Sequence, residues 1–177
     1  MLNPAHSQCP KEAAIIGSLV IGYSELDITL CHIGGLALDQ KWTVLDALHS
    51  VENEGARLEL VNKLARHILA EKSMGAKFGE AIGAMRYCKS ARNQYAHAHW
   101  MVDEHKKLHF ASSRSIEWTQ NGSISWNGID VTLLLEQLAY FEYTRRCLMW
   151  FEWKLLNPTQ NRPFPSHTPQ PPRHTPV

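Results

Sequence analysis

Apolar residues recur every three or four positions through most of the first 156 residues, and that spacing constrains the fold more than any other feature. Ile16, Leu19, Tyr23, Leu26, Leu30, Ile33 and Ala37 share one helical face. Leu58, Val61, Ala65 and Ile68/Leu69 repeat the pattern, and Leu134, Leu138, Phe141, Arg145, Leu148 and Leu155 line a third stripe. The expected helices run over Lys11–Leu38, Trp42–His49, Arg57–Glu71, Lys77–Trp100 and from the Asp130 N-cap to Leu156. Gly34-Gly35 marks a point where the first of these kinks or ends.

Between the fourth and fifth helices the texture becomes β-like. Leu108–Ala111, Ile116–Thr119 and Ser123–Trp126 are short runs, and Asn121-Gly122 signals a type I′ hairpin, placing a hairpin within residues 106–128. The fold class is therefore all-α, an antiparallel bundle of about four to five helices with a small β-hairpin insertion before the last helix. Residues 1–10, with Pro4 and Pro10, read as a flexible leader and residues 11–156 as the folded domain. Seven of the nine prolines follow Asn157, so residues 157–177 are expected to be a disordered tail.

The charge balance excludes a coat of one sign. Eighteen Lys and Arg face seventeen Asp and Glu, so any nucleic-acid contact has to be a local patch. Cys9, Cys31, Cys88 and Cys147 lack CxxC spacing, and three of them fall in apolar helical patterns, where buried thiols are the ordinary outcome. The N-terminus has no basic n-region, and apolar Ala13–Gly22 is too short to span a bilayer, so a cytoplasmic protein without membrane contact is expected.

One charge stands out of pattern. With Arg92 as zero direction, Phe78, Ala81, Ile82, Met85, Cys88, Tyr95, Ala96 and His99 fall between about −60° and +80° on the same helix. A guanidinium in the middle of an apolar stripe needs a carboxylate, carbonyls or a bound anion beside it. Asn93 and His97 lie one turn apart at about 100° and 140°, which sets a fixed cation beside a titratable imidazole. Arg86 and Lys89, at about 120° and 60°, flank the same cleft as candidate phosphate contacts.

Arg92, Asn93 and His97, near the end of the penultimate helix of such a bundle, resemble the signature of the HEPN superfamily: an arginine, a polar residue, then a histidine four to six positions beyond the arginine. The match covers these six residues specifically and residues 11–156 loosely. The resemblance implies a metal-independent endoribonuclease that leaves 2′,3′-cyclic phosphate and 5′-OH ends. In that family two motifs meet across a homodimer, so a homodimer is implied, with RNA as substrate and an antitoxin or regulatory protein as a further partner. His97 would then exchange protons, Arg92 would hold the scissile phosphate, and Asn93 would orient His97 or the phosphate. No cofactor and no metal are called for. His99 stands where the branch regulated by a nucleotidyltransferase carries Tyr, which leaves that control without its residue.

Competing readings attach to the same residues. Arg92 would serve structure alone if it bridged to Asp27, at the edge of the first helix's stripe. His97, His99, Asp103, His105 and His109 suggest a metal cluster, but His97 and His99 diverge by about 160° on a helix and cannot share an ion there. The aromatic residues Trp118, Trp126, Trp150, Phe151 and Trp153 suit packing better than base stacking. The alternative function is a non-catalytic dimeric module that binds a nucleotide or protein with Arg92 as anion anchor.

Overall fold

The computed structural model describes residues 5–112 and 124–174. Six helices and three strands follow one another among them: α1 Ala5–Gln8, α2 Pro10–Ala37, α3 Lys41–His49, α4 Glu54–Glu71, α5 Gly75–Ala96, β1 Ala98–Val102, β2 Leu108–Ser112, β3 Asn127–Ile129 and α6 Val131–Leu156. The protein is mostly helical with one small antiparallel sheet before the final helix, as the periodicity predicts.

Side chains and close approaches set the helix ends. Asn53 caps α4 by accepting from the backbone N–H groups of Gly55 and Ala56 at 2.9 and 3.0 Å, so that helix starts three residues before the expected Arg57. Asp130 caps α6 by accepting from Leu133 N at 2.8 Å. Gly34-Gly35 does not end α2, which runs on to Ala37. A Cβ on Gly35 would lie 2.9 Å from the Lys41 backbone and one on Gly34 would lie 3.2 Å from Val61, so the pair admits α3 and α4 to close packing instead.

α5 stops at Ala96, short of the expected Trp100, because the next residues pair as a strand. β1 lies antiparallel to β2 with Trp100 opposite Phe110, and β2 is antiparallel to β3 with Leu108 opposite Ile129. A helix continued to Trp100 would leave the β2 edge and the Phe110 face without that partner. The strand expected at Ile116–Thr119 and the turn at Asn121-Gly122 lie outside the described residues. Trp126 precedes β3 and is not in a strand.

The chain divides into two compact units. The first comprises residues 1–21, 90–140 and 169–177. Its sheet is packed through Tyr95, Trp100 and Phe110, whose rings are 5.7 to 5.9 Å apart, and His6 of α1 lies 6.1 Å from Trp100. Ala5 and Cys9 are buried, so the segment expected to be a flexible leader takes part in this packing.

The second unit comprises residues 22–89 and 141–168 and is built around Tyr23, Leu30, Ile33, Phe78, Ile82, Tyr143 and Phe151. Phe164, beyond α6, packs edge-on against Trp150 and Phe151 at 5.1 and 5.9 Å, and the Trp150 indole donates to Arg162 O at 2.8 Å. The proline-rich segment is thus held by contacts where disorder was expected. Extended proline-rich backbone leaves its carbonyls without internal partners, so they accept from side chains instead.

By length and composition α2 could cross a membrane, and its Leu19, Tyr23, Leu30 and Ile33 are fully buried in protein.

Candidate functional site

Arg92, Asn93 and His97 all belong to the first unit. Ala91 and Tyr95 are buried on either side of a half-buried Arg92, while Ala96 and His97 are exposed, so the apolar stripe ends one turn earlier than predicted. His97 still continues the helical hydrogen bonding, with its N–H donating to Asn93 O at 3.3 Å. Arg92 Nη1 donates to Asn93 Oδ1 at 2.8 Å. Asn93 therefore holds the guanidinium of Arg92 by its side-chain oxygen.

The next two residues of the motif are occupied by the chain's own C-terminal segment. Gln94 Nε2 donates to Arg173 O at 2.7 Å, and Tyr95 Oη donates to the side-chain oxygen of Gln137 at 2.6 Å. Gln137 is fully buried on α6, and its amide donates to Pro172 O and Arg173 O at 2.9 and 3.2 Å. A buried carboxamide needs all of these partners. Sequence patterning flagged none of this, although Gln137 points in the same direction as Leu155 at the edge of the predicted stripe. The signal available was a polar residue flanked by apolar turns on both sides.

Arg86 and Lys89, the two candidate phosphate contacts, belong to the second unit and are engaged with α4. Arg86 forms a two-pronged pair with Glu59, both contacts at 2.8 Å, and its guanidinium holds the Glu59 carboxyl below the usual glutamate value. Lys89 packs against the start of α4, where a Cβ on Gly55 would come within 2.0 Å of its Nζ. A phosphate contact by Arg86 would have to break the Glu59 pair first.

Asp27, proposed above as the structural partner of Arg92, is held by Arg57 instead. Arg57 Nε donates to Asp27 Oδ2 at 2.9 Å, Nη2 donates to the same oxygen, and Nη1 donates to Val51 O at 2.6 Å. The pair walls a cavity of about 240 Å³, together with Ser24, Cys31, His49 and Glu54. Asp27 Oδ1 is buried without a hydrogen-bond partner among the described residues. Burial pushes the Cys31 thiol up to about 12, which removes it as a nucleophile at neutral pH. None of Arg86, Lys89, Arg92, Asn93 and His97 lines this cavity.

Of the histidines beyond the motif, His109 serves the turn of the sheet through Asp103. Asp103 accepts from His105 N and Lys107 N at 2.9 and 2.8 Å and shapes the β1–β2 turn, where Lys106 has φ 58°. Its Oδ2 lies 3.0 Å from His109 Nε2. The Lys107 N–H foremost, and then His109, holds the Asp103 carboxyl below its usual value. Among the described residues no group of three or more His, Cys, Asp or Glu is arranged to hold a metal. No protein-family model, curated protein or solved structure matches this chain.

Proposed function

We propose that the protein is a metal-independent endoribonuclease of HEPN type, acting as a homodimer on RNA. The observation that carries this reading is the 2.8 Å bond from Arg92 Nη1 to Asn93 Oδ1 at a helix end, one turn before an exposed His97.

RNA carries its own nucleophile, so the site has only to position it, exchange two protons and stabilise charge. A base removes the 2′-OH proton, O2′ attacks phosphorus, the P–O5′ bond breaks, and an acid protonates O5′. The products are a 2′,3′-cyclic phosphate and a 5′-OH. His97 supplies one proton transfer and the symmetry-related His97 of a composite dimer site supplies the other. Arg92 binds the non-bridging oxygens as their negative charge grows.

The test compares Arg92→Ala, Arg92→Lys and His97→Ala in a cleavage assay and a melting curve. Each substitution should cut cleavage by roughly 10² to 10³-fold, as loss of one electrostatic or proton-transfer group does. Melting of His97→Ala should change little, because His97 is exposed, whereas Arg92 is half-buried with its Nε buried, so cleavage by its variants is read only where they melt as folded protein. Arg92→Lys should fail nearly as badly as Arg92→Ala, because a point charge cannot make the two-pronged phosphate contact. Folded variants with undiminished cleavage would remove these residues from the site.

A further inference from the structure

The cavity beside the Asp27–Arg57 pair lies wholly within the second unit. α2 supplies Ser24, Asp27, Ile28 and Cys31 to it, and the first turn of α4 supplies Glu54 and Arg57. Ser24 and Ile28 are exposed at its mouth, as is His49 at the end of α3, while Asp27 and Cys31 are buried. Asp27 is only 6% exposed, and its two carboxylate oxygens are served unequally. Oδ2 accepts both Arg57 contacts, whereas Oδ1 has no hydrogen-bond donor among the described residues. A buried carboxylate oxygen in that condition costs free energy that a donor in the cavity would recover. Arg57 does not offer its charge to a ligand, because Nε, Nη1 and Nη2 already donate to Asp27 and to Val51 O. Two carboxylates, Asp27 and Glu54, thus stand against one committed guanidinium, and the negative balance favours a cation over an anion.

We infer that this cavity binds a small organic cation, a primary ammonium on a short aliphatic chain. An ammonium carries three donors and no acceptor, so it serves the Asp27 carboxylate and Glu54 together and places no lone pair against either. Such charge-assisted bonds are the strong class of hydrogen bond. Ile28 and Cys31 supply the apolar wall that an aliphatic chain lies against. A phosphate or carboxylate ligand would meet two carboxylates with the one guanidinium already engaged. A metal ion suits the site no better: the Arg57 guanidinium stands beside Asp27, and among the described residues no group of three or more His, Cys, Asp or Glu is arranged to hold one. A water would satisfy Oδ1 but would leave the charge unanswered. The inference does not depend on the ribonuclease reading, since no residue of the motif lines the cavity.

The probe is putrescine, titrated into the full chain at constant ionic strength, with n-butanol and sodium butyrate as controls of matching chain. Calorimetry should give a saturable heat for putrescine with a Kd at or below about 1 mM, and none for either control. Glu54→Gln keeps the shape and removes one charge, so it should weaken binding about tenfold. Ser24→Phe sets a ring across the mouth from an exposed position and should abolish binding. Asp27→Asn should abolish it too, and melting curves establish which variants are folded. Where Asp27→Asn unfolds because Arg57 has lost its partner, Glu54→Gln and Ser24→Phe decide the matter. Absence of a saturable heat with putrescine overturns the inference and leaves a water as the donor to Oδ1. Wild-type affinity in folded Glu54→Gln and Ser24→Phe overturns it as well, because the amine then binds elsewhere. Binding of butyrate in place of putrescine would show the sign of the site to be wrong.

Discussion

Removing the last nine residues, by truncation after Thr168, should destabilise the protein measurably although the described residues of that segment hold no helix or strand. The cost can be worked from Gln137. Its amide loses the carbonyls of Pro172 and Arg173, and Gln94 loses its bond to Arg173 O. Three bonds at a net worth of about 0.5–1.5 kcal/mol each give about 1.5–4.5 kcal/mol. Water reaches the exposed groups once the tail has gone, so the full penalty for a buried, unsatisfied amide does not apply. Uncovering the site that buries Pro171 adds a further apolar term of about 1 kcal/mol. For a chain of 177 residues a total near 3 kcal/mol corresponds to a fall of about 6–12 °C in melting temperature. The assay is thermal unfolding followed by far-ultraviolet circular dichroism on the full and truncated chains. Gln137→Leu in both backgrounds closes a double-mutant cycle and isolates the coupling. A truncated chain melting within a degree of the full one, with no coupling to Gln137, would refute the reasoning and return the segment to the disordered tail its composition suggests.

Two further outcomes follow from the ion pairs. Arg57→Ala should cost about 3–5 kcal/mol, because it strands the buried Asp27 carboxylate, while Arg86→Ala breaks only an exposed pair with Glu59 and should cost less than about 1 kcal/mol; paired melting curves check the ranking. The hydrogen bond from the Tyr143 hydroxyl, foremost, and the His167 ring hold the Glu80 carboxyl below its ordinary value of 4.5, so its contribution is present above that pH and lost as pH falls through the depressed value. Glu80→Gln should flatten that acid limb of the stability profile, and an unchanged limb would exclude Glu80 as its source.

Local rules carried the helices further than the sites. The Asp130 cap and the stripes of α2, α4 and α6 depend on neighbours within a turn, which is why they were legible. The end of α5 was not, because His97–Trp100 fits a helical count equally well and only the distant partner Phe110 decides for a strand. Arg145 counted onto the apolar face of α6, yet it lies at the surface paired with Glu142 at 2.8 Å. The buried face is centred about one position away and includes the polar residues Gln137 and Thr144. Asp27 reads as a carboxylate at the stripe edge within reach of an Arg92 bridge, but its partner Arg57 is thirty residues away and no periodicity selects it over Arg92.

The motif itself was readable as chemistry out of place: an arginine in an apolar stripe with asparagine and histidine beside it. What spacing does not give is which groups touch. Asn93 turned out to serve Arg92, and the proline-rich end of the chain met the motif through backbone carbonyls, which no side-chain pattern encodes.

The most direct measurement is the chemistry of the cut ends when the protein is incubated with a defined RNA in excess EDTA. The account predicts cleavage that persists without divalent ions and leaves 2′,3′-cyclic phosphate on one fragment and 5′-OH on the other, lost in His97→Ala. Intact RNA, or cleavage that requires a divalent ion and leaves 3′-OH and 5′-phosphate ends, would contradict it.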